Sequence, residues 1–292
     1  MSVRGSTGLL CELEVKGAAS ATSAGLQRPV NEDAVLLRSW PDESGAILAV
    51  VVDGMGSYGG GDIAASIAIE AFAELLERPP PSSRSERCEA LLGAFYNADA
   101  RIREAGSTSC PEMGATAVAA IVDHRELLHL YAGDCRLYLV RDGAMIYRTR
   151  DHSAVQVLVD SGRISAREAR RHSMRNLVTS CLGGPKLLSR LTIDPAIGGD
   201  CDADIDWTGG PHRKLREGDR IVLCSDGLWG EINDADLLDS IGITSQGKQP
   251  EQIVQNCMAL ATEAGAADNL SVIVIEAEGS AAGAVTAPME PA

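Results

Sequence analysis

TAVAAIVDHRELLHLYAGDCRLYLVRDGAMIYR, residues 116–148, packs four short apolar runs into one stretch, at 116–122, 126–132, 135–140 and 144–148. Each run has the length of a strand, and the four are joined by three turn signals: Asp123-His124-Arg125, Gly133-Asp134, then Asp142-Gly143. Connections this tight cannot carry a parallel crossover, so these strands pair antiparallel.

Working outward, further strand-like runs lie at 46–52 (AILAVVV), 219–224 (DRIVLC) and 270–275 (LSVIVI). Helical spacing predicts a helix over 62–77, with Ile63, Ile67, Phe72, Leu75 and Leu76 as its apolar stripe and Asp62 as its cap, ending before Pro79-Pro80-Pro81. A second covers 86–105 through Leu91, Leu92, Phe95, Ala98 and Ile102; others cover 153–161, 165–172, 234–241 and 250–264. Strands and helices segregate more than they alternate, which predicts an α+β fold with sheets covered by helices.

The chain has 292 residues, enough for one large domain or two smaller ones. Its 26 Lys and Arg against 41 Asp and Glu leave a net charge of −15, which repels nucleic acid and anionic lipid. With only 3% aromatic residues there is no base-stacking platform, and no apolar run approaches the ~18 residues of a membrane span. Cys11, Cys88, Cys110, Cys135, Cys181, Cys201, Cys224 and Cys257 form no CxxC pair and no secretory leader is legible, so a reduced, cytoplasmic setting is expected. Residues 1–10 and 277–292 are read as frayed, low-complexity ends around a single domain spanning 11–276.

Acidic residues stand at the ends of the apolar runs. ILAVVV ends in Asp53-Gly54, RIVLC in Ser225-Asp226-Gly227, LLHLYA in Gly133-Asp134, and Asp268-Asn269 immediately precedes LSVIVI. Taken singly, Asp-Gly and Gly-Asp are turn dipeptides. Taken together, ionised carboxylates gathered at a sheet edge repel one another unless cations neutralise them, and an oxygen-only donor set suits Mg²⁺ or Mn²⁺. Zinc is disfavoured because the five histidines show no ligand spacing. Arg28, in RPVNED with Glu32 and Asp33, is either a surface ion-pair partner or a gripping group for phosphate.

In that order the chain resembles the metal-dependent Ser/Thr protein phosphatases of type 2C (PPM), in their compact bacterial form. The resemblance rests on AGLQRPVNEDA (24–34), VVDGMGSYGGGDIAAS (51–66), GATAVAA (114–120), YAGDCRLYLVRDG (131–143), RDHSAVQVLVDSGRIS (150–165), CSDGLW (224–229) and DNLSVIVI (268–275). It implies a sandwich of two antiparallel sheets with helices on both outer faces and a flap segment over about 153–190. It implies two Mg²⁺ or Mn²⁺ ions, with Asp53 bridging them, the Gly54 carbonyl at the second, and Asp226 and Asp268 completing the first. Glu32 and Asp33 would lie at or just behind the ions, and Asp134 with Asp226 would hold a third. Arg28 would bind the substrate phosphate, and a metal-bound water would attack it without a covalent intermediate.

The chain departs from the family pattern at Ser57, Tyr58, Cys135 and Ser180, and Met55 stands where eukaryotic members carry a histidine. Residues 162–176 hold Arg163, Arg167, Arg170, Arg171 and Arg175 against Glu168, an island read either as a substrate-attracting face, through Arg170 and Arg171, or as a solvated helix. The expectation is a monomeric phosphatase acting on phosphoserine and phosphothreonine of proteins modified by a Ser/Thr kinase. The alternatives are a weakly active or inactive relative that binds phosphoproteins, and a structural cation site without chemistry.

Overall fold

The computed structural model describes residues 15–42, 44–56, 60–108, 112–123, 125–184, 191–195, 210–242 and 247–277. Five strands form one sheet in the order β1 (Ala18–Ser23), β11 (Leu270–Glu276), β10 (Arg220–Cys224), β6 (Arg136–Arg141) and β7 (Ala144–Arg148). The second sheet runs β2 (Asp33–Ser39), β3 (Ile47–Met55), β4 (Gly114–Asp123), β5 (Glu126–Ala132) and β9 (His212–Lys214), with β8 (Leu182–Gly183) beside β4. Every pairing between these strands is antiparallel.

The layering follows from β3. Leu48, Val50 and Val52 point to one side, where they pack with Phe72, Leu91 and Phe95 of α1 (Gly61–Ala73) and α2 (Arg84–Thr108). Ala49 and Val51, at the alternate positions, point into a second core with Leu137, Leu139, Ile221, Leu223 and Ile273 of the other sheet. A strand buried on both faces needs no polar positions, which is why ILAVVV is apolar throughout. The outer face of the five-stranded sheet, with Val222, Cys224, Val272 and Val274, is covered by Ile253, Val254 and Met258 of α7 (Pro250–Ala264). Leu228 of α5 (Asp226–Glu231) and Leu237 and Ile241 of α6 (Asp234–Ile241) complete that layer. The result is the expected α-β-β-α sandwich.

The β6–β7 hairpin turns through Asp142 at φ 51° and Gly143 at φ 79°, the left-handed pair that a two-residue turn requires. α1 corrects the sequence reading. Its buried face is Ala64, Ala65, Ala68, Ala71 and Phe72, while Ile63 is 46% exposed. Small side chains let α1 lie close to both β3 and α2, and Phe72 meets Phe95 edge-on with centroids 4.9 Å apart. Asp62 sits inside the first turn rather than capping it; Gly60 holds the cap position. The α-helix stops at Ala73 and continues as a 3₁₀ turn, Glu74–Glu77.

The segment expected to form the flap holds two short helices among its described residues, α3 (Ala154–Asp160) and α4 (Ala166–Ala169). α4 covers only part of the predicted 165–172, and Ser165 and Glu168 close it with a reciprocal capping box. β1, β2, β8, β9 and α5 were not anticipated. The two expected frayed ends lie almost wholly outside the described residues, as do Ser57, Tyr58, Cys11, Cys110 and Cys201.

Candidate metal centre and active site

Strand register brings the acidic residues together. Asp33, the first residue of β2, faces Asp53 near the end of β3, and Asp53 faces Thr116 of β4. In the other sheet, Cys224 at the end of β10 faces Val272 and Arg136. Asp226 therefore opens α5 two residues beyond the end of β10, and Asp268 stands two residues before β11. Gly133-Asp134 joins the end of β5 to the start of β6. All five aspartates thus lie at one end of the sandwich.

Bonds between the sheets close that end. Ser225 Oγ donates to Asp33 Oδ2 at 2.7 Å and accepts from the Ser271 N–H at 3.0 Å. The Glu32 N–H donates to Asn269 Oδ1 at 2.8 Å, and the Glu32 carbonyl accepts from the Gly54 N–H at 3.0 Å. Gly54 has no room for a side chain: a Cβ there would lie 2.0 Å from the Gly61 carbonyl oxygen. The Glu32 carboxylate lies against Gly61 at the start of α1, the helix end that favours negative charge.

Electrostatically the cluster is frustrated. Burial pushes Asp53 well above the ordinary carboxylate range, and Asp226, Asp33, Asp134 and Asp268 push it further. Asp134 is raised well above that range by burial and then by Asp226, and Asp226 is raised by burial and then by Asp268. Asp33 is raised by burial against the hydrogen bond from Ser225, which pulls the other way. Oxygen donors raised by burial and mutual repulsion are of the chemical type that hard divalent cations take, although among the described residues no three acidic side chains are arranged as a finished coordination group.

One basic side chain borders the acids from the N-terminal loop. Arg28 Nη2 donates to Asp268 Oδ2 at 2.7 Å, with about half of its side chain exposed (48%). Its guanidinium keeps further N–H donors for an incoming anion.

Residues beneath the cluster were not singled out from the sequence. Trp229 Nε1 of α5 donates to the Asp134 carbonyl at 3.0 Å, and the Arg136 guanidinium lies 3.6 Å over the Trp229 ring. Arg136 is in turn gripped by both Asp151 oxygens, at 2.6 and 2.8 Å. His152 clamps the turn before Asp134: its N–H donates to the Gly133 carbonyl at 2.9 Å, and its Nδ1 accepts from the Gly133 N–H at 3.1 Å. Isolated Trp, Arg and His residues in apolar surroundings carry no spacing signal that distinguishes such supports from ordinary core.

The basic island divides. Arg170 Nη2 reaches the carbonyl oxygens of Trp229 and Gly230 at 3.3 Å each, and that of Ile232 at 3.5 Å, where its positive charge complements the C-terminal end of α5. Arg171 is exposed. A cavity of ≈ 180 Å³ lies between the flap and α5, lined by Arg148, Val159, Arg175, Asp226 and Trp229 among others.

Cys135 is buried between the sheets, 3.2 Å from Thr116 Oγ1, and burial pushes its thiol well above the ordinary value. Burial likewise raises Cys224. Both therefore stay neutral and behave as small core residues, as the sequence reading held. Ser180 is buried and bonded to Thr192, accepting from its N–H and donating to its carbonyl, both at 2.8 Å. Among the described residues no helix is long and apolar enough to cross a membrane.

A family model described as protein phosphatase 2C matches residues 22–270. The chain is 31% identical over 258 residues to the serine/threonine protein phosphatase PstP of Mycobacterium tuberculosis, covering 88% of this chain and 44% of that protein. It thus spans less than half the length of this relative. Among solved structures, the serine/threonine phosphatase of S. agalactiae superposes with a TM-score of 0.75 at 25% identity, over 89% of this chain and 99% of that one. The catalytic domain of PstP in complex with two manganese ions superposes at 0.69 with 28% identity, over 90% and 98% of the two chains.

Proposed function

The chain belongs to the protein phosphatase 2C family, and from that premise we propose that it hydrolyses phosphoserine and phosphothreonine of phosphorylated proteins with the help of divalent ions. The observation that carries this reading is the gathering of Asp33, Asp53, Asp134, Asp226 and Asp268 at one end of the sandwich, with Arg28 beside them. Asp53, the Gly54 carbonyl, Asp226 and Asp268 are the residues to hold two ions, Mg²⁺ or Mn²⁺; Asp134 and Asp226 are those to hold a third. Bound there, such ions supply the positive charge that a phosphate dianion needs and lower the pKa of water toward neutrality.

The chain's own residues do the rest. Arg28 offers guanidinium N–H groups to the phosphate oxygens and complements the charge that builds on them. That local charge is needed because a net charge of −15 otherwise repels the substrate. Asp33 and Glu32, tied down by Ser225 and Asn269, keep the cluster acidic from behind. Cys135, the cysteine beside Asp53, is held as a neutral thiol by burial, which favours direct attack by water over a covalent phosphoenzyme.

The test is turnover of an aryl phosphate and of a phosphothreonine peptide with Mn²⁺, with excess chelator, and in Asp226→Ala. Turnover that depends on Mn²⁺ and on Asp226 supports the proposal. Turnover in chelator contradicts it, and peptide binding without turnover points to a phosphoprotein-binding module instead.

A further inference from the structure

The loop carrying Arg28 is pinned at its ends by one side chain that lies outside the set assigned above to metal and phosphate. We infer that Asn269 is a positioning residue for phosphate capture, holding the 24–32 loop so that Arg28 stands at the acidic cluster. The inference rests on the role proposed for Arg28 and goes beyond it by naming what places that arginine.

Asn269 is 5% exposed and immediately precedes β11. Its Nδ2 donates to the Ala24 carbonyl at 3.0 Å and to the Val30 carbonyl at 2.9 Å, and its Oδ1 accepts from the Glu32 N–H at 2.8 Å. The loop is thus fastened on both sides of Arg28 by a single amide. Two donors and an acceptor on one short side chain are particular to asparagine: aspartate lacks the donors, serine has one, and alanine has none. The same residue fixes Arg28's partner, since the Asn269 N–H donates to Asp268 Oδ1 at 2.9 Å while Arg28 holds Oδ2.

A second staple acts in parallel. The Leu26 N–H donates to the Ala266 carbonyl at 2.9 Å, and Gly25, at φ +73°, lies so close to the strand lead-in that a Cβ there would sit 2.2 Å from the Asp268 carbonyl oxygen. Together the staples press the loop onto 266–269. The long Arg28 side chain keeps its own rotamers, but its point of attachment does not wander, so less freedom is lost when a phosphate is gripped. Through the Glu32 carbonyl and the Gly54 N–H the loop is also continuous with the end of β3.

The experiment measures KM and kcat for a phosphothreonine peptide with saturating Mn²⁺ in the wild type, Asn269→Ala, Arg28→Ala and the double variant, with Mn²⁺ affinity read directly by calorimetry. The expected result is a KM raised about tenfold in Asn269→Ala, as the loss of more than one hydrogen bond implies, with kcat and Mn²⁺ affinity within about twofold. Arg28→Ala should raise KM further, and the double variant should be no worse than Arg28→Ala, because Asn269 acts through that arginine. Gly25→Ala, which forces the loop off the same surface, should reproduce the rise in KM and serves as the reading if Asn269→Ala does not fold. Additive losses in the double variant overturn the inference, and so does a fall in Mn²⁺ affinity that matches the loss of activity. A wild-type KM in Asn269→Ala beside an impaired Arg28→Ala overturns the inference alone. A wild-type KM in Arg28→Ala overturns the role of Arg28 and this inference with it.

Discussion

The two ends of the sandwich handle buried acid in opposite ways. At the end away from the aspartate cluster the acids packed against the fold are matched by arginines of the chain: Asp123 and Glu126 by Arg87, Glu126 also by Arg84, Asp219 by Arg141 and Glu276 by Arg220. There Glu126 is held below its ordinary range, first by the hydrogen bond from Arg84. At the site end five aspartates crowd together with Arg28 beside them and the buried Arg136 committed to Asp151, and four of the five are pushed upward. The same strands, carrying the same residue types, thus make a neutralised end and one left short of positive charge. The lesson is that buried carboxylates become a site when the chain withholds their counter-charge.

The largest expected effect comes from exchanging one carboxylate at each end. Asp53→Asn should lower turnover by more than about a hundredfold, since losing even an outer-shell partner of a metal typically costs 10–100-fold. Asp219→Asn, at the other end, should leave kcat/KM within about twofold yet cost about 3 kcal/mol of stability, because Arg141 is left without its buried partner. Denaturant melts and steady-state rates on both variants check this, and an inactive, fully stable Asp219→Asn would break the comparison.

A smaller effect concerns pH. A carboxylate whose folded pKa is raised binds its proton more tightly in the folded state, so the stability it contributes is present at acid pH and is lost as pH rises through the folded value. In chelator, thermal stability should therefore fall as pH is raised from the ordinary carboxylate range toward neutrality. Saturating Mn²⁺ should flatten that slope, which melting curves at a series of pH values will show. Glu126 at the far end, held below its ordinary range, should contribute no such loss.

Next, Asp226→Ala should be more stable than the wild type in chelator by roughly 1 kcal/mol, because one of several repelling buried charges is gone. In Mn²⁺ the order should reverse, as the wild type alone binds the ions fully. Least of all, Arg171→Glu should change KM for a phosphothreonine peptide by less than about threefold at physiological salt, as expected of an exposed charge. A larger change would extend the working surface from the acidic cluster onto the flap.

Much of this was legible in the sequence because the signals are local. Runs such as ILAVVV and LSVIVI announce doubly covered strands, and the Asp142-Gly143 turn is forced by left-handed geometry. The aspartates at strand ends were legible for the same reason, since a charge that terminates an apolar run is visible in one dimension. What was missed depends on depth. β1, with the sequence AASATS, is buried by position rather than hydrophobicity, and α1 (Gly61–Ala73) hides its buried face in alanines that sequence reading takes for neutral filler. α5 is six residues long and carries too little periodicity to register. Asn269 was read only as the neighbour of Asp268; its three loop contacts join residues more than two hundred positions apart, a separation no local pattern encodes.

Because the charge-deficient end is built from strand termini, the turns at the opposite end are chemically silent. The β2–β3 connection at 40–46 and the β6–β7 turn at 142–143 both lie there. Splicing a fluorescent reporter or a recruitment module into either turn should leave the reacting end undisturbed, provided the inserted segment returns the chain in register, whereas a slip of one residue in β2 would turn Asp33 to the opposite face.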